Sequence, residues 1–295
     1  MSVHETPSVR ERRLAAELRV LRTAAQLHGK DVAAALGWSP SKVSRIETGR
    51  SGVSAEDLER LVQLYAVPEQ QAGLLRRLAP SARPRGWWDA YAETLSPGYA
   101  NLIRMESGSR ALRCYGALVP HALLQTPDFA REVILSTWAR PSPTEVERRV
   151  QVCRRRQDVL DGDRPGGALQ LSAVLDESVL RRCVVPGDPA RDTAVRRGQL
   201  QRLAEVAARP GVRLQVLPFA AGLPPVTAGS FSVLDSLATG TADAVYLENK
   251  TRIFFLDAEA EVHRYTQAFD LISAMALTPE DSLALVASEL AALPR

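Results

Sequence analysis

The apolar positions of the first eighty residues recur at helical spacing, in runs too short for one long helix. Leu14, Leu18, Leu21 and Ala25 stand three or four apart between Arg and Glu, which predicts an amphipathic helix from Val9 to Leu27. Gly29 interrupts. A short helix is expected from Asp31 to Leu36, with Val32, Ala33 and Leu36 inward and Gly37 as its stop. In "SPSKVSRIETGR", residues 39–50, Val43 and Ile46 are apolar and three apart. Ser39 fits an N-cap, and Pro40 fits the first helical position, where a missing N–H costs nothing. This helix runs to Glu47, and Gly49 ends it. Ser54 to Asp57 reads as a capping box ahead of a stripe of Leu58, Leu61, Val62 and Tyr65, closed by Pro68. A fifth helix is expected from Glu69 to Leu78.

"APSARPRG", residues 79–86, holds two prolines and a glycine and reads as a linker. The expected organisation is a helical domain over residues 1–79, a linker over 80–86 and a second domain over 87–295. In the second domain the pattern switches between two periods. Helical spacing covers roughly residues 98–113, 127–139, 143–160, 189–208, 258–277 and 279–292. Strand signals lie in "ALQLSAVLD", "VRLQVLPF", "GSFSVLDS", "DAVYLENK" and "TRIFFLD", and "ENKTR" joins the last two closely enough for a hairpin. The fold expected is α+β overall: an all-α five-helix domain, then a mixed α+β domain with a mainly antiparallel sheet.

Composition narrows the function classes. Of 295 residues, 45% are hydrophobic and 24% charged, an ordinary folded composition. No apolar run approaches the ~20 residues of a membrane span, and the first residues lack a signal peptide's apolar core, so a cytoplasmic location and no membrane partner are expected. Cys114, Cys153 and Cys183 are odd in number and far apart, and are expected to be reduced and buried. Four scattered histidines give no metal signature, and there is no P-loop or dinucleotide fingerprint, so no cofactor is expected. The net charge of +3 lies entirely in residues 1–79, which hold 12 Lys and Arg against 9 Asp and Glu. The remainder is balanced at 25 of each. An anionic partner is expected at the helical domain.

Residues 39–50 supply the chemistry. With Val43 and Ile46 inward, Ser41, Lys42 and Arg45 face outward and Ser44 lies near the edge. Arg or Lys can donate to O6 and N7 of guanine, and Ser can donate or accept. The turn "LGWS" between two short helices fits a helix-turn-helix, whose second helix enters the major groove. A capped, solvated surface helix would share this pattern in isolation. The four helices around it, of the right length and order, favour double-stranded DNA as the partner.

The stretch "DVAAALGWSPSKVSRIETGR…LERLVQLYAV" resembles XRE-type helix-turn-helix regulators related to phage repressors, and Trp38 to Arg50 resembles their actinobacterial branch. Beyond the linker, "RGWWDAYAETLSPG", "LVPHALLQTPDFAR", "RRRQDVL", "LDESVLRR", "RGQLQRLAEVAARPGVRLQVLPFAAG", "GSFSVLD", "AVYLEN" and "ALTPEDSLALV" look like the large C-terminal domain of antitoxin-like regulators in that branch. The resemblance implies a repressor-like, sequence-specific transcriptional regulator. It implies base reading by Ser41, Lys42 and Arg45, and backbone contacts around Lys30, Ser39, Ser44 and Arg50. That family often begins its second helix with Thr-Gln, the Gln touching a phosphate; His28-Gly29 stand here, and Lys30 would replace the contact. Its "VPGLLQT" is here "VPHALLQT", with His121 and Ala122.

Other motifs read as structural. Ser39-Pro-Ser-Lys42 formally matches an S-x-x-K nucleophile, but no S-D-N or K-T-G follows. Asp176-Glu177 are adjacent and point apart, which suits the opening of the helix in "DESVLRR" better than paired acids. His121 lacks a second catalytic group and reads as structural or as part of a ligand or partner site. "RRR", residues 154–156, reads as a solvated cluster. Trp87 and Trp88 suit a core or domain contact, or a ligand or partner site. No enzyme is expected. A homodimer on an inverted repeat is expected, with which domain holds the dimer left open; about 210 residues exceed a dimerisation helix, so the large domain is expected to answer to a small co-encoded protein or a small-molecule effector. The alternative is an antitoxin-like protein whose main role is to neutralise that protein, with DNA binding as autoregulation.

Overall fold

The computed structural model describes residues 9–48, 51–78, 86–91, 93–162, 167–227, 229–236, 242–250 and 253–294. The chain divides into two compact units, residues 1–86 and 87–295. Arg50, and all of the expected linker except Gly86, fall outside the described residues.

The first unit contains α1 (Val9–Ala24), α2 (Gly29–Leu36), α3 (Pro40–Glu47), α4 (Ala55–Leu64) and α5 (Glu69–Leu78). Leu14, Leu18 and Leu21 of α1 are buried, as are Val32, Ala33, Val43, Ile46, Leu58, Leu61, Val62 and Tyr65. Ala25 and Leu36, expected inward, are only half-buried. α2 begins two residues before its expected start. The Asp31 carboxylate accepts the His28 N–H at 2.8 Å, which makes His28 the cap and draws Gly29 into the helix. Gly37 closes α2 at φ 67°, a left-handed conformation that favours glycine, and its N–H returns to the carbonyls of Ala33 and Ala34.

The second unit opens with a 3-10 turn, Trp87–Tyr91, and α6 (Pro97–Ser107). β1 (Ser109–Gly116), a 3-10 turn at Ala122–Leu124, α7 (Pro127–Thr137) and α8 (Pro143–Arg156) follow. Next come a 3-10 turn at Gln157–Leu160, β2 (Gln170–Asp176), α9 (Ser178–Arg181), α10 (Pro189–Ala207) and β3 (Val212–Leu217). After a last 3-10 turn, Phe219–Ala221, the unit ends with β4 (Phe231–Ser236), β5 (Ala242–Glu248), β6 (Ile253–Leu256), α11 (Glu259–Met275) and α12 (Pro279–Ala292). The six strands form one sheet in the order β3-β2-β1-β4-β5-β6. β1–β2 and β2–β3 pair in parallel; β1–β4, β4–β5 and β5–β6 pair antiparallel. The sheet is therefore mixed, with an antiparallel majority.

Both faces of this sheet are covered. Leu112 and Cys114 of β1, Leu171, Ala173 and Leu175 of β2 and Leu214 and Val216 of β3 pack with Leu200, Leu203 and Val206 of α10 and Val286 of α12. On the other face, Tyr115, Val174, Leu217, Val233 and Val245 meet Val262, Phe269 and Ile272 of α11. β1 corrects the expected helix over residues 98–113. Gly108 stops α6, its N–H returning to the carbonyls of Arg104, Met105 and Glu106. The helix-forming residues Arg110 to Arg113 are then drawn into the centre of the sheet, where burial outweighs local propensity. Cys183 is a second correction: Cys114 and Cys153 are buried, but Cys183 is exposed.

Candidate functional site

α2 and α3 are joined by a turn of three residues, Gly37 to Ser39. Ser39 caps α3, its Oγ accepting the Lys42 N–H at 3.2 Å. Val43 and Ile46 anchor the helix, at 3% and 4% exposure. Their placement leaves Ser41, Ser44 and Arg45 exposed along the outer side, with Ser39 exposed at its start and Lys30 exposed on the first turn of α2. The carboxylate of Glu47 holds Arg22 of α1 through two hydrogen bonds, Nε at 2.7 Å and Nη2 at 3.0 Å. Arg22 Nη1 also donates to the Leu27 carbonyl at 2.8 Å, so one side chain ties α1, its following turn and the end of α3.

Lys42 is half-buried rather than free. Its Nζ lies 2.8 Å from Asp57 Oδ2 of α4 and 4.0 Å from the centre of the Trp38 ring. Arg60 approaches the same ring at 5.6 Å and donates to the Leu36 carbonyl at 2.6 Å. Trp38, Asp57 and Arg60 thus brace the turn between α2 and α3. Sequence reasoning missed them, because their partners lie up to 24 residues away.

In the second unit a cavity of about 280 Å³ opens at the carboxyl end of β1. Tyr115 and Gly116 of β1, Phe231 and Ser232 of β4, and residues of α6, α7 and α8 line it. Gly116 is required there: a Cβ would lie 2.8 Å from the Val119 carbonyl oxygen and 3.0 Å from a Leu175 methyl group. Its absence lets the following segment fold back as a wall. That wall is pinned by Gln125 Nε2 to the Pro120 carbonyl at 2.8 Å, and by Gln157 Nε2 to the carbonyls of Ala122 and Gln125 at 3.1 and 2.7 Å.

His121 lines this cavity, and its Nδ1 accepts the Leu123 N–H at 3.4 Å. Burial and the nearby Arg156 push its pKa down to about 3, so the ring is neutral at physiological pH. Trp87 and Trp88 are not in the lining; they pack beside Leu95, Ile103 and Val152. Arg156 corrects the reading of residues 154–156 as solvated. Arg154 and Arg155 are exposed, but Arg156 is 2% exposed and bidentate on Glu106, with Nε to Oε2 at 2.9 Å and Nη2 to Oε1 at 2.5 Å. Its Nη1 donates to the Tyr99 hydroxyl. Burial raises Tyr99 to about 12, which keeps the phenol protonated.

The residues considered for catalysis take structural places. Asp176 Oδ1 accepts the Ser178 N–H at 3.0 Å at the start of α9, and Glu177 Oε2 accepts the Phe219 N–H at 2.7 Å. Ser39 serves as a cap, and Lys42 faces Asp57. Tyr99, Glu106 and Arg156 went unrecognised in the sequence, since they converge from positions up to 57 residues apart.

Residues 99–288 match a family model described as a domain of unknown function (DUF5753), and residues 13–75 match one described as a helix-turn-helix domain. No curated protein and no solved structure matches the chain. No helix among the described residues is long and apolar enough to cross a membrane.

Proposed function

The chain belongs to the DUF5753 family, and from that premise, with a helix-turn-helix domain ahead of the family domain, we propose a sequence-specific transcriptional regulator of the XRE type. The helix-turn-helix domain marks it as a DNA-binding regulator. The observation that carries the finer reading is α3: a capped helix anchored by Val43 and Ile46, with Ser41, Ser44 and Arg45 exposed along it. Such a helix can enter a major groove, with Arg45 and Ser41 reading base edges and Ser39, Ser44 and Lys30 near phosphates. Lys42 reads a base by exchanging Asp57 for DNA. Arg50 belongs to the same proposal on sequence grounds.

The regulator binds as a homodimer on an inverted repeat, works in the cytoplasm, catalyses no reaction and is controlled through its second unit. An antitoxin-like role, in which that unit binds a small co-encoded protein, is the alternative. The selection of bound fragments from random double-stranded DNA at two salt concentrations tests the reading. Recovery of an inverted repeat supports it. Binding without a consensus, lost at the higher salt, would leave only electrostatic attraction and reject sequence reading.

A further inference from the structure

The cavity of the second unit has the build of a small-molecule site. Its 280 Å³ lie just under the usual range of about 300–1,000 Å³ for ligand cavities. It sits outside the carboxyl end of β1, the strand at which the sheet changes from parallel to antiparallel pairing. The chain leaves β1 towards β2, and the antiparallel β4 begins beside the end of β1, with Phe231 opposite Tyr115, so both strands supply cavity-lining residues at this edge. Val119 and Trp138 line the cavity and are 36% and 47% exposed, which places them at its mouth.

The charges of the wall are already paired or solvated. Arg156 is neutralised by Glu106 within the protein. Arg149 pairs with Glu145 at 3.0 Å, donates to the Thr94 carbonyl at 3.0 Å and stacks on Trp138 at 3.6 Å. The Glu248 carboxylate accepts the Tyr246 hydroxyl and is itself exposed, so water already meets its charge. A charged ligand would lose its hydration without gaining an unmatched partner, an expense that buried ions rarely recover. Donors remain. The Tyr99 oxygen accepts from Arg156, which leaves its own proton to give. His121 accepts at Nδ1, which puts the ring proton on Nε2, 3.8 Å from Glu106 Oε1 and so beyond hydrogen-bond reach of that carboxylate. Ser232 adds a hydroxyl to the lining. The rest of the wall is largely aliphatic and aromatic.

We propose that this cavity binds an uncharged, mainly apolar small molecule bearing a carbonyl-type hydrogen-bond acceptor, held by the donors of Tyr99 and His121. Its role as an effector site rests on the regulatory reading above, whereas the binding itself does not. Calorimetry on the full chain without DNA, with 2-nonanone, octanoate and octylamine as probes, separates the two. The neutral ketone should bind at least tenfold more tightly than either charged probe of matched length. Tyr99→Phe should weaken the ketone several-fold. Ile134→Trp, which fills the cavity, should weaken it at least tenfold, and Thr137→Trp, entering from the rim, provides the same block at an exposed position. Tighter binding of octanoate or octylamine would overturn the ligand class. Absence of ketone binding, or ketone binding unchanged in both filled variants, would overturn the site. Failure to recover a DNA consensus would leave this result standing.

Discussion

Lys42 of the candidate recognition helix and Asp57 at the start of α4 form an ion pair of 2.8 Å, over the face of Trp38. The side chain proposed to meet DNA is thus held by a carboxylate of its own protein. Both partners are partly exposed, at 34% and 19%, so the pair contributes little to stability and much to the orientation of Lys42.

Asp57→Asn should free Lys42 and remove a negative charge beside α3. DNA affinity should rise, most for the selected sequence, and the preference at the base that Lys42 reads should sharpen. Fluorescence anisotropy on the selected sequence and on its single-base variants measures both. A uniform rise across all variants would make Lys42 a phosphate contact instead.

Arg45→Ala should cost about 1–3 kcal/mol of binding to the selected sequence and relax preference at one base position, if the guanidinium reads a base edge. Ser41→Ala should act in the same direction and less strongly. Repeating the fragment selection with each variant tests this. Uniform weakening across all sequences would make Arg45 a phosphate contact instead.

Glu106→Gln should destabilise the second unit by about 3–5 kcal/mol, because it leaves the Arg156 cation buried and unpaired. Replacing both residues, Glu106→Leu with Arg156→Met, should cost less than the single change, since no buried charge then remains. Urea unfolding of the three proteins provides the comparison. A single variant as stable as the parent would show that Arg156 finds another partner.

His121 gives the unit an acid-sensitive limb. Its ordinary value of 6.5 falls to about 3 in the folded chain. Between those values the unfolded chain binds a proton that the folded chain does not, so stability is complete above pH 6.5 and declines as pH falls towards 3. His121→Asn keeps an acceptor for the Leu123 N–H and cannot titrate. Its stability should fall less between pH 6.5 and 4, by thermal unfolding. Coincident profiles would mean that His121 is protonated in the fold.

The helical unit was legible because its signals are local. Ser39 and Ser54 cap the helices they precede, Gly37 stops one, and the buried stripes follow the spacing of Leu and Val. The second unit was legible only where strands alternate between caps. β1 was misread because Ser109 to Arg113 continues a helical period, and what makes it a strand is pairing with β2 and β4. The cavity was less legible still. His121 stood out as a departure from "VPGLLQT", but Glu106 and Arg156 are 50 residues apart and no spacing rule joins them. Lys42 was assigned as a base reader from its side of the helix, and its ion pair depends on a residue of another helix.

The position of β1 also sets an order of events at the ribosome. Leu112 pairs with Leu171 on one side and with Leu234 on the other, 59 and 122 residues later. At a synthesis rate of about 5–20 residues per second, the second partner arrives about 6–24 s after the strand itself. Helices α1 to α5 end at Leu78 and have been synthesised by then. The nascent chain would therefore carry its whole helix-turn-helix domain while the central strand still lacks its second neighbour. An uncovered strand edge is where two growing chains would join, so the yield of folded protein should track how quickly residues 116–236 are translated.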